Sequence, residues 1–478
     1  MDHKKRLYWT LSALLVGLFL SSLDQTIVST ALPTIVQHIG GLEHISWVFT
    51  AYMLTSTSVM PIAGKLSDMY GRKRFYMIGL LLFLVGSLLC GISQTMTQLI
   101  LFRGLQGIGG GMMAANTFAL LFSMMPMGKV ARIQSLFMSV LAMSSILGPS
   151  IGAFITSQWD WRWNFFINAP IGIIAILIIG IAMKDKEPEE NTKRLKVDYS
   201  GAMLLVTTTV SILLALKMGG ADYAWRSWPI IGLFVLGAAA LIAFLLVERR
   251  ASEPILPLDM FTNRTVAGTA GVTFIQGSMM FGALLYTPLF VQGGLGGNVA
   301  DAGNAMTPMM AAVMAGATLS SFMIRRFTWR SCALLSMLLA GAGLYIMTNL
   351  PLETSKWTIR GDMALIGIGL GIMMPIAQMA ITSAVDPRYR GVANSTVTFT
   401  RNIGGVFGSA LMAVIVNHQL NTSIEESDQI RLASAIHLGF WFLVSAAIIG
   451  VIIASLMGHA RYVNKRELPH GEAVSSIK

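Results

Sequence analysis

Residues Leu105–Met113 read LQGIGGGMM, and 260 positions further on Leu365–Met373 read LIGIGLGIM. Six of the nine positions are identical, and two serines that follow the stretches, Ser135 and Ser395, have the same offset. Glycine and methionine are common in this chain, with 47 and 32 residues, so chance similarity is the alternative explanation. We interpret the two stretches as equivalent segments of two related halves of one fold.

The composition around these stretches is that of a membrane protein. Hydrophobic residues make up 54% of the 478-residue chain and charged residues only 12%, which is about half the share in a soluble domain. Apolar runs of about 20 residues recur, and each can cross the ~30 Å hydrocarbon core as a helix. Lipid offers the backbone no hydrogen-bond partner, and the runs lack the alternation of a barrel strand. An all-α integral membrane fold is predicted.

Fourteen transmembrane helices are predicted from these runs. Their ranges are 7–32, 46–66, 75–94, 98–124, 132–157, 164–183, 199–218, 228–247, 265–291, 302–324, 331–350, 362–384, 392–417 and 435–458. If the N-terminus is cytoplasmic, the segments on that side hold 26 of the 34 lysine and arginine residues. Because cytoplasmic loops carry an excess of positive charge, both termini are expected in the cytoplasm.

The count and the repeat divide the chain into four regions. Residues 1–183 are expected to form an N-terminal six-helix half, 184–264 a linker with two extra helices, 265–458 a C-terminal six-helix half, and 459–478 a cytoplasmic tail. The first apolar run lacks a small-residue cleavage pattern, so it is interpreted as a retained helix rather than a signal peptide. Spans seven and eight carry no charge at buried positions by this count and are expected to be peripheral.

Other classes of protein fit poorly. The net charge is +11, but the basic residues form short clusters between apolar runs rather than one patch, which argues against nucleic-acid binding. Cys90 and Cys332 lie far apart inside apolar runs, so neither a disulfide framework nor a metal cluster is indicated. The seven histidines lie near span ends, in loops or in tails. No nucleophile–base, metal or phosphate-loop constellation suggests an enzyme or an ATP-driven pump.

Several motifs have the order and spacing of one known family. They are Leu23–Pro33 (LDQTIVSTALP), Gly64–Arg74 (GKLSDMYGRKR), Arg103 with Gln106, Gly107 and Gly109, Ser144–Ala153 (SSILGPSIGA) and Trp161–Pro170 (WRWNFFINAP). Together they resemble the major facilitator superfamily, and specifically its fourteen-span drug:proton antiporter family, over nearly the whole chain. Ser144 and Ala153 stand where that family usually has glycine.

The resemblance implies a major facilitator fold and a proton-coupled antiporter. Such a protein exports lipophilic, often cationic, drugs and toxic compounds (multidrug efflux) across the plasma (inner) membrane of a bacterium. Its partners would be small lipophilic substrates, protons and membrane lipids; a monomer is expected, with the proton as coupling ion and no cofactor, metal or nucleic acid. Two alternatives stay open: a dedicated exporter of one metabolite, siderophore, amino acid or antibiotic, and a transporter-like membrane receptor or sensor.

Asp24 is the only acidic residue placed deep within a predicted span, about 20 Å along the first helix. An ionisable side chain at that depth is costly unless it faces a cavity or a partner, so it is a candidate functional residue. Arg103 keeps its charge under all conditions, and the resemblance places it near span one. We predict that Asp24 carries the proton and pairs with Arg103 when deprotonated. A structural role for Asp24 and a snorkelling Arg103 are the alternatives.

The loop after span two is predicted to latch the two halves together on the cytoplasmic side. This cytoplasmic latch consists of Gly64, Asp68, Gly71 and Arg72. Gly64 allows close helix packing, Asp68 is suited to capping a facing helix N-terminus, and Arg72 is suited to binding Asp68. The alternative is that the loop only supplies positive charge for topology, but this would explain neither Asp68 nor the two glycines.

Gly148, Pro149 and Gly152 are predicted to shape span five. Proline removes a helix hydrogen bond and bends the helix, while small neighbours allow close packing. By resemblance this antiporter motif seals the interface between the halves against proton leak, and an ordinary helix kink is the alternative.

Aromatic and polar residues in four other spans suggest an adaptable substrate cavity. The candidates are Trp47, Tyr52, Gln106, Phe281, Tyr286, Arg401 and Asn402. Aromatic faces attract cations, and the many methionines fill irregular shapes. Lipid-facing packing explains most such residues by default, and Arg401 has no obvious acidic partner in the sequence.

Overall fold

The computed structural model describes residues 3–40, 44–124, 136–137, 140, 143–144, 147–148, 151–152, 154–183, 198–220, 223–251, 254–297, 299–324, 326–351, 353–386, 389–422 and 428–458. Its helices are α1 (His3–Ile39), α2 (Ile45–Tyr70), α3 (Arg72–Ile92), α4 (Met96–Met124), α5 (Trp163–Phe166), α6 (Asn168–Ala182), α7 (Tyr199–Met218), α8 (Trp228–Glu248), α9 (Arg264–Leu289), α10 (Val299–Met323), α11 (Trp329–Met347), α12 (Lys356–Ser383), α13 (Arg390–Thr422) and α14 (Asp428–Leu456). A 3₁₀ turn (Leu258–Thr262) and a π turn (Phe290–Gly294) complete the set. Within these ranges the one β-type contact is an isolated bridge between Gly219 and Tyr223.

Eleven helices of the described residues are long and apolar enough to cross a membrane. The all-α membrane fold predicted from composition is therefore confirmed, while the count of fourteen spans stays a prediction. The fifth predicted span, 132–157, lies partly outside the described residues; its described positions from 136 onward are helical. Large apolar side chains on the outer faces, such as Ile181 (74% exposed) and Phe322 (69% exposed), suit contact with lipid rather than water.

The helices differ in how central they are. In the most apolar stretch of α12, 83% of the residues are buried, against 22% for α8. Helix α12 is therefore surrounded by other helices, and α8 faces outward. Helix α4 packs against α2 and α3, and α12 packs against α10 and α11 in the same way.

The repeated glycines make equivalent contacts in the two halves. Gly109 of α4 lies against the α3 backbone, and Gly369 of α12 lies against the α11 backbone. Gly107 and Gly367 abut α2 and α10 respectively. A Cβ atom at any of these positions would overlap a neighbouring backbone, so glycine is what allows these helices to pack closely.

The extra helices α7 and α8 pack against each other, and α7 also contacts α2 and α13. Glu248, the last residue of α8, is only 3% exposed and accepts a hydrogen bond from the backbone N–H of Leu256. The predicted spans 199–218 and 228–247 carry no buried charge, but this buried acid lies one residue beyond the end of the second. The linker after α8 folds back over the helix end, which a reading of apolar runs does not reveal.

Candidate functional site

Asp24 and Arg103 meet in the interior of the N-terminal helices. Helix α1 carries Asp24 and α4 carries Arg103, and Arg103 Nη1 lies 2.5 Å from Asp24 Oδ2. Both side chains are fully buried. The geometry is that of a charge-assisted hydrogen bond between a carboxylate and a guanidinium in a site closed to solvent.

Two amide side chains complete the surroundings of the Asp24 carboxylate. Gln106 Nε2, one turn after Arg103, donates to Asp24 Oδ1 at 2.8 Å. Asn168 Nδ2, on α6, donates to the same oxygen at 2.9 Å and also to Ser87 Oγ at 2.9 Å. Asp24 therefore accepts hydrogen bonds from three side chains on two different helices, and we call these five residues the Asp24 network.

Arg103 has further partners that fix its guanidinium. Its Nη1 also donates to Gln106 Oε1 at 2.8 Å, and its Nε donates to the carbonyl oxygen of Val48 at 3.3 Å. The guanidinium carbon lies 4.6 Å from the centre of the Tyr52 ring, a cation–π arrangement. The buried Nη2 atom has no hydrogen-bond partner. The arginine is thus held on three sides, and the two N–H donors of Nη2 are left unsatisfied.

The arrangement suits a carboxylate that can exist in a charged and a protonated state. All three donors stabilise the charged form of Asp24, and the buried pair is favourable only while both charges are present. Protonation of Asp24 would remove the charge that holds Arg103, leaving a buried cation with only neutral acceptors. A proton at this position would therefore change the packing preference between α1, α4 and α6.

The cytoplasmic latch lies between α2 and α13. Arg72 donates to Asp68 Oδ1 from Nε at 3.0 Å and from Nη2 at 2.8 Å. The backbone N–H groups of Gly391 and Val392, in the first turn of α13, donate to Asp68 Oδ2 at 2.8 and 3.2 Å. A carboxylate at a helix N-terminus satisfies free N–H groups and favours the helix dipole. One aspartate thereby ties the N-terminal half to the C-terminal half.

The two glycines of the latch have separate structural reasons. Gly64 lies against the side chain of Ser395 and the carbonyl oxygen of Gly391, so any side chain there would push α2 away from α13. Gly71 has φ of 105°, a backbone conformation that residues with a Cβ rarely adopt. It separates α2 from α3 and lets the chain turn between Asp68 and Arg72.

The described part of span five packs against α1 close to Asp24. Gly148 lies directly against the side chain of Thr26, two residues after Asp24. Thr26 Oγ1 donates to the carbonyl oxygen of Ser144 at 3.2 Å. Gly152 is buried, and Pro149 lies outside the described residues.

If the chain is the proton-coupled exporter that the resemblance implies, Gly148→Leu is expected to lower the number of substrate molecules exported per proton at least fivefold, because the larger side chain separates span five from α1 beside Asp24. The measurement is substrate efflux and proton flux recorded together in proteoliposomes. Gly180→Leu is the matched control, since nothing lies within 4 Å of a Cβ atom at Gly180. If Gly148→Leu keeps the wild-type ratio of exported substrate to protons, the motif is better explained as an ordinary helix kink than as a seal against proton leak.

The predicted cavity residues separate into groups. Gln106 belongs to the Asp24 network and Tyr52 contacts Arg103 of that network through its ring. Asn402 Nδ2 donates to Thr57 Oγ1 of α2 at 3.4 Å and so joins α13 to α2. Phe281 packs on Gly405 of α13. The remaining candidates are the partly buried Trp47, Tyr286 and Arg401. No ring contact among the described residues joins Trp47, Phe281 and Tyr286.

Sequence reasoning overlooked two kinds of residue. Asn168 is part of a predicted motif but was not assigned to the Asp24 site. An amide in a strongly apolar span could have indicated a role in a buried polar site. Sequence reasoning also described Asp24 as the only acid deep in a span. Asp362 is 6% exposed and lies two turns into α12, because that helix begins at Lys356, six residues before the predicted start.

Comparisons with known proteins place these features in a family. Residues 14–409 match the Major Facilitator Superfamily. The chain is 39% identical over 407 residues to the multidrug transporter protein MdtP of Bacillus subtilis, covering 85% of this chain and 75% of that protein. It is 38% identical over 414 residues to multidrug resistance protein 3 of the same organism, covering 87% of this chain and 80% of that protein.

A solved structure agrees at the level of the fold. The crystal structure of the human organic anion transporter MFSD10 (TETRAN) aligns with a TM-score of 0.62 over 94% of this chain and 99% of that chain. The sequences are only 13% identical, so this likeness concerns the fold alone. With the family match over most of its length and two relatives above 30% identity, the chain is a multi-pass membrane transporter that belongs to the Major Facilitator Superfamily.

Proposed function

We propose that this protein is a proton-coupled antiporter that exports lipophilic, often cationic, compounds across the bacterial plasma membrane. The observation that carries the proposal is the Asp24 network. A membrane-buried carboxylate whose charged form is held by Arg103, Gln106 and Asn168 is suited to taking up and releasing a proton. The names of the two Bacillus relatives support multidrug efflux as the task.

We infer the direction of proton entry from the latch. The contacts of Gly64 and Asp68 hold α2 against α13 near the end of α2 that we expect in the cytoplasm, and the Asn402–Thr57 contact holds the two helices at mid-length. With this side closed, Asp24 would receive its proton from the outside. Protonation would free Arg103 and favour rearrangement of the helices, and loss of the proton to the cytoplasm would restore the pair.

Substrate and proton would then favour opposite arrangements of the same helices. A ligand bound between the halves favours one arrangement of α2 and α13, and the charge on Asp24 favours the other. Coupling of this kind needs only that each ligand binds the two arrangements with different affinity.

Proteoliposomes with an internal pH dye test the proposal directly. Under an imposed pH gradient, ethidium, a quaternary ammonium and a fluoroquinolone are added in turn to wild-type protein. We expect substrate-triggered proton movement, and we expect Asp24→Asn to lower it at least 100-fold because asparagine carries no exchangeable proton at this site.

Asp259→Asn is the matched control, because Asp259 is an exposed carboxylate in the linker before α9. It should transport like the wild type. Full proton-driven export by Asp24→Asn would reject Asp24 as the coupling group. If none of the three compounds triggers proton movement with folded wild-type protein, the result would favour a dedicated exporter of one metabolite instead.

A further inference from the structure

Arg401 of α13 has a guanidinium with no hydrogen-bond partner among the described residues. Its Nε and Nη2 atoms are buried and donate to no described acceptor. In the N-terminal half, by contrast, Arg103 has Asp24, Gln106 and a carbonyl oxygen. A buried arginine cannot discharge by losing its proton, so its charge needs an external counter-ion or water.

Among the described residues, no carboxylate is paired with Arg401. No aspartate or glutamate occurs anywhere between Asp68 and Asp160, a stretch that contains all of spans three to five. Asp24 is already paired with Arg103. The remaining acid well inside a described span is Asp362, near the opposite end of the membrane.

Depth along the helices separates Asp362 from Arg401. Arg401 lies about 17 Å from the cytoplasmic start of α13, at 1.5 Å per residue, whereas Asp362 lies about 31 Å from the cytoplasmic end of α12. The two charges are therefore about 14 Å apart along the membrane normal, which is too far for an ion pair. Arg401 is left as a net positive charge within the C-terminal half.

The residues of α9 and α13 that pack around this stretch of α13 are small, aromatic or apolar, and Gln276 of α9 carries an unpartnered acceptor. The Phe274 and Phe407 rings are 5.5 Å apart, and Phe281 packs on Gly405, one turn after Arg401. Gly277 abuts the backbone of Arg401, and next to it Gln276 is fully buried with its Oε1 unpartnered. A buried positive charge on a helix with apolar and aromatic neighbours matches a ligand with an anionic group on an apolar body.

We propose that Arg401 binds the anionic group of transported compounds, so that the substrates include amphiphilic carboxylates and zwitterions. This inference rests on the proposed function as an exporter of lipophilic compounds and specifies one class of them. The carboxylate forms charge-assisted hydrogen bonds to the unpartnered Nε and Nη2 of Arg401, and the apolar body lies along Phe281, which packs one turn further along α13. A lipid phosphate offers similar chemistry, and the test separates the two sources.

Equilibrium binding of matched ligands tests the proposal without any proton gradient, so a failure of antiport does not affect it. Purified protein in phosphatidylcholine nanodiscs is titrated with pyrenebutyrate, its methyl ester and a pyrenebutyl quaternary ammonium, each corrected with empty nanodiscs. We expect Arg401→Gln to weaken pyrenebutyrate binding about thirtyfold or more, because one partner of a desolvated charge pair is lost. Binding of the ester should be unchanged, which also shows that the variant is folded.

Two further variants and one change of lipid complete the design. Arg401→Lys should keep most of the carboxylate affinity, and Arg226→Gln, at an exposed arginine between α7 and α8, should bind like the wild type. If Arg401→Gln does not fold, the wild-type preference for carboxylate over ester still tests the idea. Equal binding of acid and ester by the wild type overturns the proposal. So does a carboxylate preference unaffected by Arg401→Gln, or one that is lost when phosphatidylglycerol is added to the nanodiscs, which assigns Arg401 to lipid phosphate.

Discussion

Arg103→Gln is expected to abolish proton-coupled export and to lower the free energy of unfolding by about 3–5 kcal/mol, because Asp24 then stays buried without its cation. Gln106 and Asn168 would still donate to the carboxylate, but neither carries a charge. The double variant Asp24→Asn/Arg103→Gln should be more stable than the sum of the single losses predicts, by about 1–3 kcal/mol. Denaturant titration in detergent, with export measured in proteoliposomes, provides both readouts.

This combination separates a structural role from proton coupling. The double variant regains stability because no unpaired charge remains, yet it should stay inactive because the proton-carrying carboxylate is gone. Additive losses of stability would contradict an interacting pair, whatever the transport result. Arg226→Gln serves as the control, since that arginine is exposed and its replacement should change neither stability nor export.

The Asp24–Arg103 contact was within reach of sequence reasoning, and its geometry agrees with the predicted pairing. Membrane spans contain so few charges that an acid on one span and a base on another have few other partners to find. The resemblance then supplied the proximity of the two helices. The role of the pair in proton coupling stays a prediction, as does the role of Arg401.

The rest of the Asp24 network depends on how the helices pack. Asn168 is 144 residues from Asp24 in sequence, and its contact requires α1, α3 and α6 to converge. Apolar runs also place helix ends poorly, because charged residues at span ends look like loops. That is why Asp362 was assigned to a span boundary and Glu248 was overlooked.

The internal repeat was the most informative sequence signal for the fold. Its glycines fall where α4 and α12 each pass closely by two neighbours, so the pattern records packing rather than composition. The unmatched positions are informative as well. Gln106 joins the Asp24 network, whereas its counterpart Ile366 is an apolar core residue, so the two equivalent segments share packing but not polar contacts.

Asp68→Asn is expected to slow export at least tenfold at normal membrane abundance, because the cytoplasmic side would no longer be held closed. The Asp68 carboxylate receives hydrogen bonds from Arg72 and from two backbone N–H groups of α13. Hydrogen bonds to a charged group contribute about 1.5–3 kcal/mol each. Losing even one shifts a two-state equilibrium by about tenfold or more toward the arrangement in which α2 and α13 separate.

Labelling of a cysteine placed at Ser395 measures that separation. Ser395 is fully buried against Gly64, so a maleimide added from the cytoplasmic side should react with Ser395→Cys only when the latch opens. The native Cys90 and Cys332 are fully buried, which keeps the background low. We expect the labelling rate of Ser395→Cys to rise about tenfold when Asp68→Asn is added.

Three outcomes distinguish a latch from a loop that only sets topology. Faster labelling together with slower export shows that Asp68 controls the balance between the two arrangements. Slower export with unchanged labelling would mean that Asp68 acts on another step, and low membrane abundance would point to insertion. Asp259→Asn in the Ser395→Cys background is the control, because this exposed carboxylate lies on the same side of the membrane and contacts neither α2 nor α13 through a described hydrogen bond. Because one carboxylate joins the halves, the removal of a single charge should be enough to open them.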